Sequence, residues 1–199
     1  MERVERIDKL IGRAVVSLET ANRLGPASDL LVDPLSGELA GFAVQRSADE
    51  SDALVSILDI HGIGPDAVIV KGDQSLVLTE ASPLNALPRA QADLIGVKVI
   101  TEHGQLLGNI ANLFLCLTER PVFIYEVRSS LIDKLLGRAF YFAASLSCAF
   151  SDDRSALVVA AEPEEMDHRV EAAAERLLSV FSSSPRAHVF TVEVRTHAE

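Results

Sequence analysis

Leu10-Ile11-Gly12-Arg13-Ala14-Val15-Val16 and, further along the chain, Leu94-Ile95-Gly96-Val97-Lys98-Val99-Ile100 are two versions of one pattern, 84 residues apart (94 minus 10). A second anchor follows each: Leu24-Gly25 leads into an apolar run at 27–32, and Leu107-Gly108 into one at 110–115, at an offset of 83. One residue is gained or lost between the anchors, and the chain carries a tandem repeat. Each copy reads as strand, polar turn, glycine, strand. The turns are residues 19–23 and 102–105, and Gly25 and Gly108 stand where a side chain would resist the local bend.

Outward from these anchors the order of elements persists while the turn chemistry changes. In the first copy Asp33-Pro34-Leu35-Ser36-Gly37 makes a turn into a strand at 39–44. The second copy uses Thr118-Glu119-Arg120-Pro121 before a strand at 122–127. The first copy continues through a polar loop at 46–52, an apolar stretch at 54–60, the turn Ile63-Gly64-Pro65-Asp66, a strand at 67–70 and a closing strand at 75–78. The second offers a helical turn at 132–137 and strands at 140–144 and 157–161. About five short strands per copy predict a small barrel. A rival echo, residues 7–14 against 132–139, is set aside because its flanks do not continue to match.

The expected architecture is mainly β: two tandem small β-barrels, residues 1–80 and 93–162, joined by a linker at 81–92 whose Pro83 and Pro88 interrupt regular structure. Residues 163–199 differ in kind. Met166, Val170, Ala173, Ala174, Leu177, Leu178 and Phe181 recur at helical spacing, predicting an amphipathic helix over 164–182 that packs by this face. Ser182-Ser183-Ser184-Pro185 stops it, and Val189, Val192 and Val194 alternate with polar neighbours in a final strand at 188–196. That strand either completes the second barrel or adds to a partner's sheet.

The Leu-Ile-Gly opening, polar turn, Leu-Gly, apolar strand and Asp-Pro-x-x-Gly turn resemble the PRC-barrel family. The match runs over residues 10–44 and 64–70 and, more loosely, 94–161. The family includes the cytoplasmic domain of the photosynthetic reaction-centre H subunit and the C-terminal domain of the ribosome maturation factor RimM. The resemblance implies barrels of PRC type that chiefly bind other proteins, and it brings no catalytic residues. This chain lacks the membrane helix of the first prototype, and its first half looks like a second PRC barrel instead of the translation-factor-like barrel of the other. A shared fold does not carry either function across.

Composition narrows the partners. Eighteen Lys and Arg against 29 Asp and Glu give a formal charge of -11, which repels a phosphate backbone and disfavours direct nucleic-acid binding. The N-terminal Met1-Glu2-Arg3-Val4-Glu5-Arg6 alternates charge where a signal peptide needs an apolar stretch, so the expected location is cytoplasmic. The most apolar run, residues 140–150, falls short of the ~20 residues of a spanning helix, and no membrane span is expected. Cys116 and Cys148 sit in apolar surroundings and read as buried thiols.

No residue pattern announces catalysis, so no catalytic, cofactor-binding or metal-ligating residue and no cofactor is assigned. His61-Gly62-Ile63-Gly64-Pro65 reads as a turn because Pro65 removes a donor that a phosphate loop would use. His61, His103, His168, His188 and His197 lack zinc-site spacing. Glu162, Glu164, Glu165 and Asp167 read as acidic residues at a helix start. Bulky residues on both faces of 113–115 and 140–142 require cover from the tail helix, the other barrel or a second molecule. The function expected is a non-enzymatic adaptor that binds a protein partner, in assembly of a larger complex. Three alternatives stand beside it: a homodimer, a ribosome-maturation accessory resembling RimM, and a small-ligand binder using the cleft between the barrels.

Overall fold

The computed structural model describes residues 3–46, 52–129, 139–151, 153–160 and 166–183. The chain is mainly β, with two multi-stranded sheets and one short C-terminal helix. After β1 (Arg3–Arg6) come β2 (Ala14–Ser17), β3 (Arg23–Val32), β4 (Leu39–Val44), β5 (Ala53–Ser56), β6 (Ile60–Ile63), β7 (Ala67–Val70) and β8 (Leu76–Leu78). The second copy supplies β9 (Lys98–Thr101), β10 (Leu106–Leu117), β11 (Val122–Arg128), β12 (Phe140–Ala143), β13 (Ser147–Phe150) and β14 (Ala156–Val159), followed by α1 (Val170–Ser183).

The strand orders of the sheets match over six strands, and β8 is an addition to the first. One runs β6-β7-β2-β3-β4-β5-β8, the other β13-β14-β9-β10-β11-β12. In each, one pairing is parallel, β2 with β7 and β9 with β14. Local features repeat as well. Gly12 N–H bonds the Ala27 carbonyl at 2.7 Å, and Gly96 N–H bonds the Ile110 carbonyl at 2.8 Å. Gly25 and Gly108 have φ of +148° and +141°, and a Cβ on either would run into the carbonyl of Gln45 or Arg128.

Each long strand carries a bulge at the same place, between Ala27 and Asp29 in β3 and between Ile110 and Asn112 in β10. At both bulges a side chain caps the next peptide: Asp29 Oδ1 accepts Leu30 N–H at 2.7 Å, and Asn112 Oδ1 accepts Leu113 N–H at 3.0 Å. Asp29 accepts two more, from Gln91 N–H at 2.9 Å and Ala92 N–H at 3.0 Å, and so ties the inter-copy segment to β3.

The copies are joined by backbone. Leu31 bridges to Arg89, and Val32 N–H bonds the Pro88 carbonyl at 3.0 Å, so the segment after the first copy lies on β3. Correspondingly β1, which precedes the first copy in sequence, pairs antiparallel with β10 of the second, Arg3 opposite Leu117 and Arg6 opposite Phe114. Each copy thus receives an arm on the same edge of its long strand. Leu30, Phe42, Val44 and Val68 of one sheet and Leu113, Tyr125, Val127 and Leu157 of the other belong to one continuous buried cluster. Each such large side chain contributes about 1.5–3 kcal/mol by leaving water.

Several expectations meet different outcomes. Leu76–Leu78, expected to close the first barrel, pairs with β5 and forms a sheet edge. The stretches at 54–60 and 140–150 each break at a 3-10 turn, Ile57–Asp59 and Ala144–Leu146, which lets the chain fold back as β6 and β13. The helix begins at Val170, not near 164. The reason is that Met166 is buried in the shared core and Asp167 exchanges two backbone bonds with Tyr141, at 2.8 and 3.1 Å, which holds this stretch extended. Residues 132–137, 163–165 and 188–196 lie outside the described residues, as does the Phe181 side chain.

Candidate functional site

The outer face of the second sheet is built by the period-two alternation of β10 and β11. Leu113, Leu115, Phe123 and Tyr125 point to the shared core, while Cys116, Val122 and Ile124 point outward. Ala173, Ala174 and Leu177 of α1 cover that outward face, with Phe114 and Tyr141 in edge contact beneath, ring centroids 6.0 Å apart. The bulky residues that the sequence left without a place on one face of each strand are therefore met by the tail helix.

The cover is incomplete on the β1 side. A groove of 610 Å³ runs between β1 and α1, floored by Val4, Phe114, Val170, Ala174 and Leu178. Arg3, Glu5, Arg6 and Lys9 stand on one wall and Glu171 and Glu175 on the other. No partner strand lies along the outer edge of β1 among the described residues.

Beyond Arg6 lies a second, more polar pocket of 680 Å³, lined among others by Asn109, Asn112, Glu126, Arg128 and Ser129. Its features arise from β11, whose outward face changes from Val122 and Ile124 to Glu126 and Arg128. Glu126 is only 3% exposed, and its Oε1 accepts Arg128 Nε at 2.6 Å. Tyr141 lies directly across the ladder from Glu126. Burial pushes the Tyr141 phenol above its ordinary pKa, and the Glu126 charge adds to the rise. Asn109 Nδ2 donates to the Gly96 carbonyl at 2.7 Å, which fixes its amide at the rim.

No family model and no curated protein matches this chain. Its reading rests on the geometry.

The residues weighed for chemistry stay apart. His61 and His103 are exposed on different copies, and His168 packs on Phe140 with centroids 5.6 Å apart. His188, His197, Glu162, Glu164 and Glu165 lie outside the described residues. Asp167 pairs with Arg176 at 3.0 Å. Among the described residues no group of three His, Cys, Asp or Glu side chains could hold a metal ion, and no helix is long and apolar enough to cross a membrane. Gly64 closes a turn, its N–H on the Ala67 carbonyl at 2.9 Å. Sequence reasoning missed Glu126. The signal was there: a lone carboxylate in the apolar run Val122-Phe123-Ile124-Tyr125-Glu126-Val127.

Proposed function

We propose that this chain is a non-catalytic adaptor, two tandem barrels of PRC type whose second unit holds a protein partner in the groove between β1 and α1. The observation that carries the reading is that groove: an apolar floor, charged residues on both walls and a strand edge that has no partner strand among the described residues. An extended segment added to β1 would gain backbone hydrogen bonds and bury alternate side chains on Val4 and Leu178. The shared strand order of the two sheets and their matching glycines support the tandem-barrel part.

An affinity pull-down from the native host, washed in salt to strip electrostatic binders, tests this with wild type beside Leu178→Glu. The expected result is one stable complex recovered by wild type and lost by the variant, with both proteins unfolding at the same temperature. A prey-free wild type, or equal recovery by both, overturns the groove assignment. Recovery of ribosomal particles would shift the reading to a ribosome-maturation accessory.

A further inference from the structure

The repeat gives almost every residue of the second copy a counterpart in the first, so the chain contains its own control. At an offset of 83, Asn109 corresponds to Pro26, Asn112 to Asp29, Glu126 to Ala43 and Arg128 to Gln45. These pairs occupy equal positions in the ladders: Asp29 faces Ala43 in the first copy, and Asn112 faces Glu126 in the second. Packing the same fold therefore does not require a carboxylate at this point. In the first copy Ala43 is fully buried in a small apolar cluster with Leu31 and Leu54, and Asp29 is saturated by three peptide N–H groups.

The second copy instead keeps Glu126 almost wholly buried with its hydrogen bonding half used. Arg128 engages Oε1 alone, and Oε2 accepts no hydrogen bond among the described residues. A carboxylate seated this deeply carries a desolvation cost that the alanine of the first copy avoids, offset by the ion pair with Arg128. Glu126 lines the polar pocket, an open depression of 680 Å³.

We propose that this pocket binds a small zwitterion carrying an amine and a carboxylate, of the free amino-acid class. Glu126 Oε2 takes the ammonium. Arg6, whose pair with Asp8 at 3.1 Å is solvent-exposed, and Arg128, through the Nη1 that its bond to Glu126 does not use, take the carboxylate, and the Asn109 and Asn112 amides orient what lies between. A simple anion would meet the Glu126 charge and a simple cation the arginines, so both signs on one ligand fit best. The pocket lies on the second sheet and not in a cleft between the copies; it shares Arg6 with the groove, but ligand binding to it needs no protein partner.

Isothermal titration of the full chain with the proteinogenic L-amino acids tests it, alongside the N-acetyl and C-terminal amide derivatives of any that bind. The expected result is binding of at least one amino acid, weakened about tenfold or more by blocking either end. Glu126→Gln and, independently, Arg128→Gln should weaken it similarly, while Gln45→Ala, the counterpart position in the first copy, leaves it unchanged. No binding at millimolar concentration, derivatives that bind as well as the parent, or folded Glu126→Gln and Arg128→Gln proteins that bind like wild type would each overturn the proposal.

Discussion

Glu38 and Val122 face each other across the two copies as an antiparallel pair, bracketed by Leu39 N–H to the Pro121 carbonyl at 2.8 Å and Phe123 N–H to the Gly37 carbonyl at 2.9 Å. Their separation in sequence is the offset of the first repeat anchor, 84 (122 minus 38). Each bond is thus the other's counterpart, which places an approximate two-fold axis at this pair.

A pair bracketed in this way is the close, non-hydrogen-bonded kind, with Cα atoms about 4.5 Å apart, within reach of a disulfide. Glu38→Cys with Val122→Cys should therefore oxidise spontaneously to an intramolecular crosslink that ties the copies together. Non-reducing electrophoresis after proteolysis within the 81–92 segment would show the halves held together. Halves that separate without reductant would contradict the pairing.

Asp29 and Asn112 hold corresponding bulges but carry different loads. Asp29→Ala strands three peptide N–H groups, two of them from the segment between the copies, whereas Asn112→Ala strands one. The expected losses are about 3 kcal/mol and about 1 kcal/mol respectively, read from urea unfolding. Equal losses would mean that the bonds from Gln91 and Ala92 contribute nothing.

Asp153 shapes the turn between β13 and β14. Ser151 Oγ at 2.6 Å, with Ser155 N–H at 3.0 Å and Ser155 Oγ at 2.8 Å, holds its carboxyl at about 2 against an ordinary 3.8. A folded-state value below the unfolded one makes the contribution complete above the ordinary value and lost as pH falls through the lower one. Carboxyl NMR titration should find a midpoint near 2, and Asp153→Asn should flatten the acid limb of the stability curve only between about pH 4 and 2. A midpoint at the ordinary value would remove the basis for that limb.

Much of the fold was legible because the repeat constrains it locally. Gly25 and Gly108 announce positive φ by being glycine, and the alternation in β4 and β11 places their core faces. The offset falls from 84 to 83 in the turn after β2 and β9, rises to 84 in the turn before β4 and β11, and returns to 83 at a bulge at Ala40. A bulge leaves no mark in composition, so that return could not be read in advance. The helix start was misplaced because Met166 continues the apolar spacing of α1, yet its burial is set by the shared core. The candidate sites were less legible: Glu126 stood out in its strand, but the pocket also needs Arg6, which nothing local connects to β11.

The sequence by itself determined the elements and their repetition, since period, turn residues and glycines act over a few neighbours. Only the tertiary structure decided that β1 lies on β10 and that residues 88–89 lie on β3, because a four-residue arm pairs with whichever exposed strand edge the packed cores bring to it. Long-range backbone pairing depends on that proximity and carries no side-chain signature. The same holds for the groove and pocket beside Arg6, whose walls come from segments far apart in the chain.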